Sequence, residues 1–216
     1  MKGTNHRTSN GGRIRNPRTR AAILAAAGRV FGKSGLAGAR TDRIAAEAGV
    51  NKALLYYYFK SKEGLYEAVV EDHFGEFNRQ ALEVLNGPGS ARDVLLRYVS
   101  MHMDFISARH QSAPLFQQMM MMGGKFLERM VQKYFSVRGE ALGRLIERGV
   151  RSGEFRRVDG FHATMSIVSL IVFYFSAARV LQLMGRPNAY TAANLKRRKR
   201  EVLDFIRHGL FTETKV

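Results

Sequence analysis

Cysteine is absent from the 216-residue sequence. Without thiols the chain has neither a disulfide framework nor a zinc site with thiolate ligands, which agrees with a reducing cytoplasm. The N-terminal stretch MKGTNHRTSNGGRIRNPR is polar and basic, and it lacks the apolar core of a secretory signal. We therefore expect a cytoplasmic protein.

Long apolar runs are also missing. The most apolar window, residues 163–178, is uncharged for sixteen residues. A helix of that length, at ~1.5 Å per residue, is shorter than the ~30 Å hydrocarbon core of a bilayer. We interpret the window as a buried helix and expect no membrane partner.

The sequence lacks the motifs that carry catalysis or hold cofactors, since it has no P-loop, dinucleotide-binding fingerprint or nucleophile elbow. His102 and His110 lie eight positions apart, and no two histidines have the H-x-x-x-H spacing of a metal site. We expect no enzyme activity, no cofactor and no metal. The histidines are interpreted as core or surface residues.

Acidic residues are scarce, because 18 Asp and Glu stand against 35 Lys and Arg and give a formal net charge of +17. Residues 1–65 hold thirteen of the basic residues and three of the acidic ones. Such an excess indicates a polyanionic partner, either nucleic acid or an anionic membrane surface. A generally basic surface is the alternative. With 45% hydrophobic residues, the chain can bury a core.

The stretch TDRIAAEAGVNKALLYYYFKSK begins at Thr41 and has the pattern of two short helices joined by a turn. Thr41 is predicted to cap the first helix and Asn51 the second, because their side-chain oxygens can accept hydrogen bonds from free backbone N–H groups. Gly49 supplies the left-handed backbone of the turn. Leu55 and Phe59, spaced i and i+4, share one face and are predicted to pack inward.

The free face of this second helix carries lysines, tyrosines and small apolar residues, and it has no acidic side chain of its own. A major groove of B-form DNA accepts one helix, and bases there are distinguished by hydrogen bonds and by contact with the thymine methyl group. Lys52, Ala53 and Leu54 are therefore predicted to read bases. Tyrosine hydroxyls and Lys62 are predicted to reach phosphates, which position the protein without reading sequence.

The segment from Arg18 to Tyr66 resembles the DNA-binding domain of the TetR family of bacterial transcriptional regulators. The resemblance lies in the helix and turn RAAILAAAGRVFGKSGLAGARTDRIAAEAGV, the aromatic run LYYYF and the KSKEGL that opens the next helix. It implies base reading by residues 51–54 and phosphate contacts beside them. Tyr58 stands where many members carry histidine, and its hydroxyl keeps a phosphate donor there. The expected DNA contacts are Arg40, Thr41, Arg43, Asn51, Lys52, Ala53, Leu54, Tyr56, Tyr57, Tyr58 and Lys62.

The sequence divides into three parts. Residues 1–17 are predicted to be a disordered basic tail, residues 18–66 the helix-turn-helix domain, and residues 67–216 a helical domain for ligand binding and dimerisation. The tail is either a basic arm that lies along phosphates or in a minor groove, or a solvated tail without a specific role. The expected fold class is all-α, with about nine helices.

Apolar periodicity and turn residues locate the helices. The first is predicted to end at Gly35, the fourth to run from about Ser61 toward Leu85 and link the two domains, and the fifth to be capped by Ser90. The others are predicted over residues 115–122, 125–152, 162–184 and 191–210. Within the last, the run KRRKR at residues 196–200 is interpreted as a solvated face, with contact to DNA or to a protein partner as the alternatives.

Methionines cluster in the second domain, four of them consecutively at residues 119–122. The thioether is flexible and polarizable, so this run suits either an adaptable pocket or plain core filling. The family resemblance implies a cavity for a small inducer, expected to be apolar or aromatic, among the middle helices. The expected lining is Met103, Phe105, Ile106, Phe116, Met119, Met120, Phe126, Tyr134 and Phe173.

The residues from Ser152 onward resemble the last three helices of the same family, of which the final two pair with their copies in a four-helix dimer bundle. A helix that is apolar on nearly every side, as at residues 162–184, also needs more cover than one small chain provides. The expected dimer contacts are Ile167, Ile171, Phe175, Val202, Phe205 and Ile206.

Together these features predict a homodimeric, ligand-responsive transcriptional regulator, most simply a repressor at the nucleoid. It would bind a pseudo-palindromic operator in double-stranded DNA and be released by an inducer. One alternative is a TetR-like architectural or division-linked DNA-binding protein without an inducer, which a filled second domain would distinguish. The other is a helical small-molecule binding or catalytic protein, which would show no sequence preference on DNA.

Overall fold

The computed structural model describes residues 16–109 and 113–213, and most of them are helical. The elements are α1 (Pro17–Gly38), α2 (Thr41–Glu47), α3 (Lys52–Phe59), α4 (Lys62–Leu85), α5 (Ala91–Ala108), α6 (Ala113–Met122), α7 (Gly124–Met130), a π-helical turn (Val131–Ser136), α8 (Val137–Arg151), α9 (Gly160–Ser176), α10 (Ala178–Leu183) and α11 (Ala192–Leu210). The all-α prediction is confirmed. The predicted N-terminal tail lies outside the described residues, apart from Asn16 and Pro17.

Contacts divide the chain into two compact units, of which the first ends at Val69 and the second begins at Val70. The division falls inside α4, so this helix belongs to both units. The domain boundary expected from the sequence is at Tyr66, where the motif resemblance ends, three residues before the division by contacts.

The first unit is built on α1. This helix buries Ile23, Leu24, Ala26, Ala27, Val30 and Phe31. Phe31 is fully buried and meets the ring of Tyr66 edge-on, with 5.3 Å between the ring centroids. Ile44 from α2 and Leu55 from α3 are also 0% exposed, so the three helices share a core. The helical conformation is interrupted at Gly35, as the sequence predicts, because Gly35 has φ 70° and ψ 174°, and a second short helical stretch follows it to Gly38.

Residues of α4, α5, α8, α9 and α11 form an apolar core in the second unit. A clasp joins the α8–α9 turn to the end of α11, where the rings of Phe155 and Phe211 stack with 5.3 Å between centroids. Arg92 at the start of α5 donates to the Glu154 carbonyl at 3.1 Å and to the Thr212 hydroxyl at 2.8 Å. The clasp therefore ties together three stretches that are distant in sequence.

Two helices predicted as continuous are interrupted. The stretch 125–152 contains the π-helical turn Val131–Ser136, in which hydrogen bonds span i to i+5 and one extra residue is accommodated. The stretch 162–184 breaks at Ala177, between α9 and α10. Apolar periodicity did not reveal either interruption, because the apolar residues continue through both.

The basic run at residues 196–200 is only partly a solvated face. The Lys199 ammonium lies 2.7 Å from the Asp104 carboxylate of α5. Arg198 donates to the Leu170 carbonyl at 2.7 Å, and its guanidinium lies over the ring of Tyr174, 5.3 Å from the centroid. These two side chains therefore fasten α11 to α5 and α9.

Most residues predicted for the dimer contact lie in the core of a single chain. The exposed fraction is only 0–4% for each of Ile167, Ile171, Phe175, Val202 and Ile206. They are not available on the surface, because they pack against other helices of their own chain. Phe205, by contrast, is 64% exposed. Since α9 is apolar on nearly every side, its sequence did not separate inward-facing from outward-facing residues.

Candidate nucleic-acid interface

The start of α3 is fixed by local hydrogen bonds. The Asn51 side chain accepts from the Leu54 backbone N–H at 2.7 Å, which caps the helix as predicted. Gly49 has φ 66°, a left-handed conformation that glycine adopts at little cost, so the turn before α3 is also as predicted. The orientation of α3 is therefore set by the turn and the cap before any partner binds.

One face of α3 is buried and the other is open to solvent. Leu55 and Phe59 are 0% and 6% exposed, as their spacing predicts. Lys52 and Ala53 are exposed and Leu54 is partly exposed. The predicted base-reading residues therefore lie at an accessible helix start, which suits insertion into a groove.

An acidic group borders this surface, although none was expected from α3 alone. The Lys52 Nζ atom lies 2.9 Å from the Asp42 Oδ1 atom of α2, and both side chains are largely exposed. This hydrogen bond lowers the pKa of the Asp42 carboxyl, and the same contact raises the pKa of the Lys52 ammonium. The Lys52 ammonium therefore already has an acceptor within the protein.

Thr41 does not cap α2, contrary to the sequence prediction. The N-cap position is Arg40, whose side chain makes no capping hydrogen bond, and Thr41 is the first helical residue. Thr41 is 8% exposed, and its hydroxyl lies 3.4 Å from the Tyr56 hydroxyl. This contact links α2 to α3 and positions the Tyr56 hydroxyl at the edge of the exposed face.

Two tyrosines of the aromatic run in α3 line a cleft that the sequence did not predict. The cleft is lined by Asn16, Pro17, Arg20, Tyr57, Tyr58 and Lys60. The Tyr58 hydroxyl donates to the Asn16 carbonyl at 3.4 Å, which brings the start of α1 beside α3. Lys60 ends α3 with φ 65°, and its ammonium lies over the Tyr57 ring, 5.6 Å from the centroid. Arg20 and Lys60 thus add two cations beside the predicted phosphate contacts.

Two more of the residues predicted to contact DNA already donate hydrogen bonds to acceptors within the protein. The Lys62 ammonium donates to the Ala37 and Ala39 carbonyls, each at 3.4 Å. Arg43 donates from Nε to the Glu47 carboxylate at 3.0 Å. These two side chains have protein acceptors in the free state, whereas Tyr57 is 46% exposed.

The residues predicted to line a ligand cavity fall into two groups. Met103, Phe105, Met119, Phe126 and Tyr134 are buried, and Ile106 and Phe116 are partly buried. Met120 and Phe173 are 51% and 71% exposed. The last two therefore point to solvent and do not line the interior of this chain.

Two further sequence expectations concern membranes and metals. Within the described ranges, no helix combines the length and the apolar character needed to cross a bilayer. The same ranges contain no group of three or more His, Asp or Glu side chains arranged to hold a metal ion.

A short helix, a turn and a capped second helix with one exposed basic and aromatic face define a helix-turn-helix DNA-binding protein. The family model described as "Bacterial regulatory proteins, tetR family" matches residues 23–69. The model described as "Tetracyclin repressor-like, C-terminal domain" matches residues 91–206. The chain belongs to the TetR family of bacterial transcriptional regulators, as its motifs predict, and this family consists of regulators rather than enzymes.

Individual relatives agree with this assignment. The HTH-type transcriptional repressor NicS of Pseudomonas putida is 32% identical over 195 residues, which cover 88% of this chain and 89% of that protein. A transcriptional regulator from Saccharomonospora viridis in complex with choline has a similar fold, with a TM-score of 0.75 at 18% identity over 92% of this chain and all of that one. The ketosteroid transcriptional regulator KstR2 of Mycobacterium tuberculosis also has a TM-score of 0.75, at 15% identity over 90% and 95% of the two chains.

Replacing Asp42 by asparagine should strengthen binding to duplex DNA. The change removes a carboxylate from the edge of the surface predicted to contact DNA and releases the Lys52 ammonium, so affinity should rise on the order of threefold at low salt and less at high salt. Fluorescence anisotropy titrations at several salt concentrations measure both effects. Asp72→Asn removes one exposed carboxylate from the second unit and should leave affinity nearly unchanged. Weaker binding by the Asp42 variant would mean that the carboxylate holds Lys52 in its DNA-contacting position.

Proposed function

We propose that the protein is a ligand-responsive repressor that binds a pseudo-palindromic operator as a homodimer and is released by a small aromatic ligand. The observation that carries this proposal is the accessible, capped start of α3, with Lys52, Ala53 and Leu54 on its open side. The relative named NicS is called a repressor, which supports repression as the outcome. The site of action would be chromosomal DNA in the cytoplasm.

DNA recognition would be shared between two kinds of contact. The α3 start enters the major groove, where Lys52 offers a hydrogen-bond donor and Ala53 and Leu54 offer apolar contact to thymine methyl groups. Tyr57 and the hydroxyl of Tyr56 reach the flanking phosphates and fix the register. The cations Arg20 and Lys60, in the cleft beside α3, extend the phosphate contact toward the N-terminal side.

The dimer would form through exposed apolar side chains of the last three helices. Those at least 49% exposed are Phe161, Met165, Phe173, Val180, Leu183 and Phe205, together with Met184 directly after α10. Large apolar side chains grouped on one set of helices in this way mark an interaction surface. A second copy is the occupant we propose, because a pseudo-palindromic operator requires two recognition helices held about 34 Å apart.

The ligand would act from inside the second unit. Aromatic side chains of α4, α5, α6 and the π-helical turn surround one another there, with ring centroids 5.0–6.0 Å apart. Relatives of this fold include a choline complex and a protein named for ketosteroids, which supports a small-molecule role for this unit. Because α4 is one continuous helix that belongs to both units, a shift of α4 on ligand binding in the second unit would be transmitted to the first. Coupling of about 1–3 kcal/mol would change DNA affinity by roughly 5–150-fold.

Selection of bound duplexes from a random pool tests the DNA-reading surface. We expect the wild-type protein to enrich a pseudo-palindrome, and Lys52→Ala and Leu54→Ala to change the enriched sequence, because both side chains face base edges. Tyr57→Phe removes one hydroxyl that reaches a phosphate, so it should weaken binding to all sequences alike. It serves as the matched control. An enriched sequence that none of the changes at residues 51–54 alters would show that another surface reads the bases.

A further inference from the structure

Arg138 is a buried cation that has no carboxylate partner among the described residues. It lies in α8 and is 7% exposed. Its guanidinium lies over the rings of Phe77 and Phe135, 4.8 Å and 5.1 Å from their centroids. Among the residues that the structure describes, no Asp or Glu forms an ion pair with it, and the group whose charge acts on it most is the Tyr98 phenol. Burial of an unpaired charge is costly, so its presence in a folded core calls for an anion.

The polar groups around Arg138 have few partners. One terminal nitrogen of Arg138, the Tyr98 hydroxyl and the His102 Nδ1 atom are buried, and among the described residues they have no hydrogen-bond partner other than the interaction of Arg138 with Tyr98. The Tyr98 and His102 rings lie 5.6 Å apart on α5. More than about nine in ten buried polar groups in proteins are paired, so three such groups close together without further partners are unusual.

The protonation states of these groups suit them to donate. Burial, together with the nearby charge of Arg138, lowers the pKa of His102 to about 3, so the imidazole is neutral at physiological pH and carries one N–H. Burial raises the pKa of the Tyr98 phenol above its usual value, so the hydroxyl keeps its proton. A guanidinium, a phenol and a neutral imidazole together can supply hydrogen bonds to a carboxylate.

Aromatic rings surround the cluster formed by Arg138, Tyr98 and His102. Phe135 lies next to Phe74 and Phe116, with centroid distances of 5.1 Å and 6.0 Å. Phe77, which stacks under Arg138, lies 5.0 Å from Phe105 and 4.4 Å from the His102 ring. A planar apolar ring would find edge and face contacts at this position.

The π-helical turn directly before α8 is part of this arrangement. Residues Val131–Ser136 form it, and it carries Tyr134 and Phe135. Such turns are rare and occur frequently at functional sites. Gly75 on α4 faces this turn, and a Cβ atom there would lie 3.4 Å from the Tyr134 hydroxyl.

We propose that this cluster binds the carboxylate of a small aromatic acid. Arg138 pairs with the carboxylate, Tyr98 and His102 donate hydrogen bonds to it, and the phenylalanine rings pack against the ring of the acid. A single buried cation matches a monoanion rather than a phosphate ester, which carries a second charge. This inference rests on the proposed ligand response, for which it supplies the chemical class of the ligand.

Titration calorimetry on the full chain without DNA tests the proposal. The probes are benzoate, phenylacetate and 2-naphthoate, each paired with its neutral amide. We expect at least one acid to bind at least about tenfold more tightly than its amide, because only the acid neutralises the buried charge. Arg138→Met should weaken binding of that acid on the order of 100-fold while keeping or raising the melting temperature of the ligand-free protein. Tyr98→Phe, which removes only the hydroxyl, should also weaken it.

Arg144→Met is the matched control, because it removes an exposed arginine from the same helix. Its affinity for the acid should equal that of the wild type. Equal affinity of the Arg138 variant, or amides that bind as tightly as acids, would overturn the proposal while leaving a ligand response in place. Absence of binding by every acid would overturn it as well. An acid that binds through Arg138 but does not release operator DNA would instead contradict the proposed function and leave this site intact.

Discussion

Replacing Phe31 by alanine should lower the free energy of unfolding of the first unit by about 3–5 kcal/mol and abolish sequence-specific DNA binding. The Phe31 ring is fully buried and meets Tyr66 edge-on, so its loss removes apolar contact and leaves a cavity in the middle of the unit. At about 0.05–0.15 kcal/mol per residue, a unit that ends at Val69 is stable by only roughly 3–10 kcal/mol, so a loss of this size removes a large part of its stability. Thermal or urea unfolding, followed by DNA titration, measures both consequences.

Phe31→Leu is the control for this change. It keeps an apolar side chain in the cavity and loses only the ring contact with Tyr66, so we expect a cost of roughly 1–2 kcal/mol and retained DNA binding. If the alanine variant unfolds at the same temperature as the wild type, α1 does not carry the core of this unit. If it unfolds earlier but still binds operator with full affinity, α3 is positioned by other contacts.

Replacing Phe205 by aspartate should convert the proposed dimer into monomers. Phe205 is 64% exposed on α11, and in a symmetric contact it would be buried once in each copy. A buried aromatic anchor is worth about 2 kcal/mol or more, so two substitutions should weaken dimerisation by about 4 kcal/mol, which is roughly a thousandfold. Sedimentation velocity at micromolar concentration measures the change. Operator affinity should fall with it, because a monomer presents one recognition helix.

Met121→Asp is the control for the dimer prediction. Met121 is 87% exposed on α6, outside the apolar surface of α9–α11, and its replacement places the same charge elsewhere on the second unit. We expect it to sediment as the wild type does. A wild-type protein that is monomeric at micromolar concentration, or a Phe205 variant that remains dimeric, would remove this surface from the proposal.

The sequence was sufficient to predict features that depend on neighbouring residues. Asn51 and Ser90 cap their helices, and Gly49 takes the left-handed conformation, because each effect needs only a few residues of chain. The inward direction of Leu55 and Phe59 also follows from their spacing. Most of the DNA-binding motif is local in this sense, which explains why its pattern could be recognised.

Features that depend on contacts between distant residues could not be predicted in this way. The ion pair of Lys52 with Asp42 joins two helices, and the clasp of Arg92 with Thr212 joins residues 120 positions apart. The burial of Ile171 and the exposure of Phe173 depend on which side of α9 faces its own chain, and both residues are apolar. Arg138 belongs to an amphipathic helix in which an arginine is expected to face solvent, and only the three-dimensional packing shows that it is buried.

The π-helical turn at Val131–Ser136 is equivalent to an α-helix that carries one additional residue. Because the turn takes up this extra residue, the loss of one residue here would restore a continuous α-helix, and the residues of α8, Arg138 among them, would keep their present directions. A relative that is one residue shorter at this point would therefore keep the core of α8 and differ in the side chains of the turn itself, which here include Tyr134 and Phe135. Insertion or deletion of a single codon is then an evolutionary step by which such a regulator could acquire a different effector.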